Sequence, residues 1–83
     1  MYRIIVTKTA LKDIQKHTPR MRAKLNDMLT HTIAADPYSG KKLLGDLDGN
    51  YSMRLNLQDR IVYSINEDQE IVYIKRAKTH YGK

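Results

Sequence analysis

The chain has no cysteine at any of its 83 positions. That excludes a disulfide framework, zinc held through thiolates, and thiol catalysis together. The fold must stand on packing alone. It also lacks any Pro-, Gly- or Ser-rich stretch that would serve as a linker, so a single domain over residues 1–83 is expected. The opening residues, Met1-Tyr2-Arg3-Ile4-Ile5-Val6-Thr7, hold too short an apolar run for a signal peptide, and nothing approaches the length of a membrane span. The expectation is a cytoplasmic protein with no membrane association. A chain this short buries only about 60–65% of the surface its unfolded form exposes, so nearly every Leu, Ile, Val, Met and Tyr is needed for the core.

Acidic residues are scarce as well: nine Asp and Glu stand against 15 Lys and Arg, for a net charge of +6. In so small a protein this suggests a polyanionic or acidic partner, with a merely solvated basic surface as the plain alternative. The charge falls in two zones. Residues 1–35 hold seven bases and two acids, and Ile71 to Lys83 hold four bases and no acid.

The apolar spacing predicts a strand over residues 2–7, then a helix over 8–17 capped by Thr7, with Ala10, Leu11 and Ile14 inward. Thr18-Pro19 restarts the chain. Met21, Leu25, Met28, Leu29, Thr32 and Ile33 recur at helical spacing and carry a second helix to about Ala35. His17 and His31 fall at or near helix ends, where surface or capping roles are expected. Asp36-Pro37-Tyr38-Ser39-Gly40 ends the helix, and Asp48-Gly49-Asn50 makes a turn after the apolar stretches at Leu43-Leu44-Leu47. From Tyr51 the period becomes alternating, and Glu70 to Lys78 reads as an interior last strand because Ile71-Val72-Tyr73-Ile74 is apolar throughout. The order is β-α-α-β-β-β. This is an α+β fold, a twisted, mostly antiparallel sheet with two helices packed on one face.

The hairpin register can be argued from charge. A two-residue loop at Gln58-Asp59 would bring Arg60 onto the core face beside Leu55 and Leu57. A three-residue loop, Leu57-Gln58-Asp59, avoids this. It pairs Leu55 with Ile61, Met53 with Tyr63 and Tyr51 with Ile65, and leaves Arg54 and Arg60 as diagonal neighbours on the opposite face, roughly 7–8 Å apart.

Those two arginines fit one part of a specific chemistry. Cleaving RNA without a metal requires activation of the ribose 2′-OH, stabilisation of charge on the phosphate, and protonation of the departing 5′ oxygen. Arginine suits the second step, because it stays cationic and its fork matches phosphate oxygens. Histidine suits either proton transfer, and tyrosine can donate a proton or stack on a base. Arg54, Arg60, His80 and Tyr81 supply most of this set, although singly each has an ordinary reading as a solvated or packed side chain. Lys41, Lys42, Arg76 and Lys78 are further candidates for binding RNA phosphates. No metal or cofactor is called for.

The segment from Leu43 to Leu55 (Leu43-Leu44-Gly45-Asp46-Leu47-Asp48-Gly49-Asn50-Tyr51-Ser52-Met53-Arg54-Leu55), followed by Asp59-Arg60-Ile61-Val62-Tyr63 and the terminal Thr79-His80-Tyr81, resembles the Txe/YoeB branch of the RelE/ParE toxin superfamily. The match is clear over residues 43–81 and looser over 1–42. The resemblance implies a RelE-like fold and the toxin of a type II toxin–antitoxin system, an mRNA interferase. Such an endoribonuclease enters the A site of the 30S ribosomal subunit, cuts mRNA to a 2′,3′-cyclic phosphate and so inhibits translation. It also implies an acidic antitoxin of the YefM/Axe or RelB kind, and leaves a homodimer open. By position, Arg54 and Arg60 match the family's phosphate-stabilising arginines. His80 and Tyr81 match its terminal pair, as proton-transfer and stacking or acid groups.

One position departs from the pattern. The family's general-base glutamate precedes the leucine aligned with Leu43 by two positions, and Lys41 stands there. Asp46 or another acid takes over, or His80 or a lysine acts as the base, or the enzyme is weak. Asp46 and Asp48 also read simply as turn residues. The alternatives are a non-nuclease toxin of the ParE type that poisons DNA gyrase, and a relative that binds antitoxin or RNA without cutting.

Overall fold

The computed structural model describes residues 1–78; His80 and Tyr81 lie outside them. Five strands form one sheet: β1 (Arg3–Val6), β2 (Lys41–Lys42), β3 (Asn50–Arg54), β4 (Arg60–Asn66) and β5 (Ile71–Arg76). Their order is β1-β5-β4-β3-β2, with β1 parallel to β5 and the other neighbours antiparallel. Two helices, α1 (Lys8–Gln15) and α2 (Pro19–Asp27), lie between β1 and β2 in the chain.

Both helices start where their capping residues dictate. The Thr7 side chain accepts from the Ala10 N–H and the Thr18 side chain from the Met21 N–H, each at 3.2 Å, which satisfies donors that the first turn leaves unpaired. Pro19 occupies the first turn of α2, where no N–H is needed. The helix continues beyond Asp27 as a π-helical segment, Met28–Ile33. Leu25, Leu29 and Ile33 recur every fourth residue and are all buried. An α-helix turns about 40° too far for that spacing, and the wider π turn drifts back, so the three side chains keep to the sheet side.

The core joins these helical residues to Leu55, Ile61, Tyr63, Val72 and Ile74 from the sheet. β5 lies between β1 and β4, the interior place that its apolar run predicts. Three expectations need correction. Leu11 is 47% exposed, and the inward position beside Ala10 belongs to Asp13, which is 4% exposed. The reason is a partner: Asp13 receives three hydrogen bonds from the end of β5, so its carboxylate is compensated in the interior. Second, β2 forms at Lys41–Lys42, where β propensity signals nothing; Leu44 and Leu47, beyond it, are exposed. The pairing of Leu43 N–H with the Asn50 carbonyl at 2.9 Å extends this edge, and Gly49, at φ 91°, makes the intervening turn.

The third correction concerns the β3–β4 register. Tyr51 pairs with Tyr63, Met53 with Ile61 and Arg54 with Arg60, two residues away from the expected alignment. Asn56 sets the difference. Its Oδ1 accepts from the Gln58 and Asp59 N–H groups at 2.7 and 2.6 Å, while Leu55 N–H donates to the Asp59 carbonyl at 2.9 Å. This side-chain-closed loop begins one residue earlier than a loop over residues 57–59. A shift of two leaves every side chain on its face, so the expected core set survives.

Candidate functional site

The pairing places four polar side chains on the sheet face turned away from the core. Lys41 lies opposite Ser52, Ser52 opposite Val62, and Arg54 opposite Arg60. Directly paired residues share a face, so Lys41, Ser52, Arg54 and Arg60 project together. Leu55 and Asp59 form a hydrogen-bonded pair. The adjoining Arg54/Arg60 pair is therefore of the closer, non-hydrogen-bonded kind, with Cα atoms about 4.5 Å apart.

These side chains line an open cleft of about 330 Å³, with Ser39, Gly40 and Met53 completing its wall. Among the described residues its lining holds three cationic side chains and no carboxylate. Arg54 is exposed, and Arg60 is half-buried with its Nη1 donating to the Ser52 hydroxyl at 3.5 Å, a long and weak bond. Two cationic side chains directly opposed across a strand pair repel each other. An anion between them removes that cost, and phosphate matches their planar forks.

The cleft wall is anchored from beneath. Tyr63, fully buried, donates its hydroxyl to the Pro37 carbonyl at 2.7 Å, and burial pushes its pKa up to about 12. Gly40 passes so close that a Cβ there would overlap the Tyr63 hydroxyl and come within 2.9 Å of the Ser52 carbonyl. Tyr63 stacks on Tyr51 at 5.9 Å between ring centroids. Tyr51 meets Tyr38 edge-on at 5.7 Å, and Tyr38 meets Tyr2 at 6.5 Å. The array ends on Glu67, whose Oε1 accepts from the Tyr2 and Tyr38 hydroxyls at 2.6 and 2.5 Å. These two bonds hold the Glu67 carboxyl below the usual carboxylate range and raise both phenols.

The remaining candidates are placed elsewhere. Lys42 pairs with Tyr51 and so belongs to the face opposite Lys41. Arg76 reaches Asp13 of α1, and the β4–β5 register shifts by one beside it: Tyr63 pairs with Ile74, but Val62 pairs with Arg76. Its Nε and Nη2 donate to the two oxygens of Asp13 at 2.9 and 3.2 Å. Burial pushes the Asp13 carboxyl up, but Arg76, the Ala77 N–H and the nearby charge of Lys78 outweigh it and hold the group below its ordinary value. Asp46 and Asp48 sit exposed in the turn before β3 and do not line the cleft. Residue parity was enough to find Ser52, which alternates with Arg54. Nothing in the linear pattern pointed to Asp13 or to His17, whose Nε2 donates to the Ala77 carbonyl at 2.6 Å.

Two capped helices on a five-stranded mixed sheet are the architecture of the RelE/YoeB toxins, and in this small basic protein the far face bears a cationic cleft. The sequence profile described as YoeB-like toxin of bacterial type II toxin–antitoxin system matches residues 7–81, and the chain belongs to this family. Solved structures agree. The chain is similar to a chain of the RelBE2 toxin–antitoxin complex of Mycobacterium tuberculosis, at 29% identity and a TM-score of 0.87, covering 95% of this chain and 98% of that one. It is similar to the YoeB/ParE toxin of Agrobacterium tumefaciens at 26% identity and 0.83, covering 95% and 99%. A chain of the YoeB–YefM complex of Staphylococcus aureus matches at 27% identity and 0.79, covering 98% and 99%. No curated protein sequence matches the chain.

Proposed function

We propose that this toxin is a ribosome-dependent mRNA endonuclease acting in the cytoplasm. The observation that carries the reading is the direct opposition of Arg54 and Arg60 beside Lys41 in the cleft. In the proposed reaction the ribose 2′ oxygen attacks the adjoining phosphorus, the bond to the 5′ oxygen breaks, and the products are a 2′,3′-cyclic phosphate and a 5′-hydroxyl. Arg54 and Arg60 stabilise the charge that builds on the phosphate oxygens. Lys41 binds a neighbouring phosphate, His80 moves a proton, and Tyr81 stacks on a base or donates the leaving-group proton.

Lys42 and Lys78 act outside this reaction centre, adding long-range attraction for RNA rather than contact with the scissile phosphate, whereas the charge of Arg76 is offset by Asp13. The partner that silences the toxin is an acidic antitoxin; similar chains stand in the YoeB–YefM and RelBE2 toxin–antitoxin complexes, and two copies pair as in the YoeB dimer of S. aureus.

Purified ribosomes programmed with mRNA test the reading. Wild-type protein generates new RNA ends; Arg54→Ala, Arg60→Ala and His80→Ala each reduce them sharply. If all three cleave as well as wild type, the assignment is wrong. The absence of a carboxylate from the cleft lining favours one second reading, a gyrase-directed toxin of the ParE type. Intact mRNA together with DNA damage on expression would decide for it.

A further inference from the structure

Residues 37–40 turn about a single oxygen atom. Tyr63 is fully buried, and its hydroxyl donates to the Pro37 carbonyl at 2.7 Å. Three residues later the chain returns to the same hydroxyl, so closely that a Cβ on Gly40 would overlap it and stand 2.9 Å from the Ser52 carbonyl. Gly40 is thus seated against both the Tyr63 oxygen and the backbone of β3. Between these two contacts the turn is closed on itself, because the N–H and the hydroxyl of Ser39 both donate to the Asp36 carbonyl, at 3.1 and 2.8 Å. The Tyr63 ring is fixed in its turn by stacking on Tyr51, with 19° between the ring planes.

The residue delivered by this turn is Lys41. β2 has only two residues and lies at the edge of the sheet, with β3 as its neighbour. A strand with so few cross-strand bonds opens readily, so its position depends on the chain that leads into it. Tyr63 shapes that chain from the core side, whereas Lys41 points into the cleft on the far face. An oxygen on one face of the sheet therefore sets where a cation stands on the other.

We propose that Tyr63 is a positioning residue for Lys41: by holding the Pro37 carbonyl and seating Gly40, its hydroxyl sets the cleft wall where Lys41 and the Arg54/Arg60 pair bind neighbouring phosphates of one RNA strand. The inference deepens the nuclease reading and rests on it for the identity of the ligand. Tyr63→Phe keeps the buried ring and removes only the oxygen. Gly40→Ala displaces the same wall with Tyr63 intact and serves as the second variant.

Binding of an uncleavable 2′-O-methyl RNA oligonucleotide, followed by fluorescence anisotropy over a range of salt, tests this. Each phosphate contact to a single strand contributes about 0.7 to the slope of log affinity against log salt, and Lys41→Ala removes about that much. Tyr63→Phe and Gly40→Ala lower the slope likewise, and neither lowers it further in a Lys41→Ala background. A variant that is merely less stable keeps the wild-type slope. Unchanged slopes in both variants therefore overturn the proposal, as does a loss that persists without Lys41.

Hydrogen exchange in the free protein gives a second readout that needs no RNA. Tyr63→Phe speeds exchange of the Leu43 N–H, bonded to the Asn50 carbonyl beside β2, several-fold more than that of the Thr7 N–H, bonded to the Ile74 carbonyl beyond the opposite edge. Exchange that is unchanged, or equally faster at both places, overturns the positioning role. If wild type binds no RNA, or Lys41→Ala keeps the wild-type slope, the RNA reading of Lys41 fails instead, and exchange alone decides whether Tyr63 holds β2.

Discussion

Arg54 and Arg60 stand directly opposite each other on β3 and β4, closer than the diagonal relationship that strand alternation predicts. Like charges so placed destabilise a sheet by about 0.2–1 kcal/mol. The protein therefore holds a small electrostatic cost that an anion bound between the two arginines would offset. Arg54→Gln should raise the Tm of the free protein slightly while removing RNA cleavage. Inorganic phosphate or sulfate should raise the Tm of wild type more than that of the variant. Equal stabilisation of both would show that the anion binds elsewhere.

The loop that sets this opposition depends on one amide. Asn56 Oδ1 accepts two backbone N–H groups, and its Nδ2 donates to Asp59 Oδ2 at 3.0 Å. Asn56→Ala should cost about 1–2 kcal/mol in chemical denaturation. It should also weaken the cross-strand NMR contacts between residues 54 and 60. Intact contacts in a destabilised variant would mean that the strands alone fix the register.

Gly40 is required by proximity, since its φ is an ordinary −75°. Gly40→Ala drives a methyl group into the Tyr63 hydroxyl and should cost about 1–3 kcal/mol. In a Tyr63→Phe background, where that oxygen is gone, the same substitution should cost less. Denaturant titrations of the four proteins form the cycle, and strictly additive costs would refute the contact.

Asp13 links stability to pH. Its carboxyl is depressed in the folded protein, so the unfolded chain takes up the proton first as pH falls. The contribution is complete above the ordinary carboxyl range near pH 4. It is lost as pH drops from there through the lower folded value. Asp13→Asn should cost about 1.5–3 kcal/mol at neutral pH, where it leaves Arg76 without its charged acceptor. The gap to wild type should narrow in acid, and a gap constant from pH 7 to pH 3 would contradict the assignment.

Much of the fold was legible because its signals are local. Thr7 and Thr18-Pro19 announce helix starts through hydrogen bonds that reach only three residues. The alternation of Tyr51, Met53 and Leu55 against Ser52 and Arg54 assigns faces, whatever the loop does in steps of two. Less legible was the site beyond its arginines. Lys41 and Lys42 read as equivalent neighbours, and only the pairing of β2 with β3 sends one to the cleft and the other to the opposite face. Arg76 reads as one more cation of the basic tail, and only the packing of α1 beside the end of β5 brings Asp13 to it.

The sequence by itself determined the helix starts, the inward set that includes Leu25, Leu29 and Ile33, and the shared face of Arg54 and Arg60, since these follow from caps that reach three residues and from helical and alternating spacing along the chain. Tertiary structure alone decided that the two arginines meet directly, that a carboxylate at Asp13 outranks Leu11 for the interior, and that His17 reaches Ala77. Each of those depends on a partner far off in sequence or on a loop closed by a side chain, and no periodicity encodes which partner will arrive.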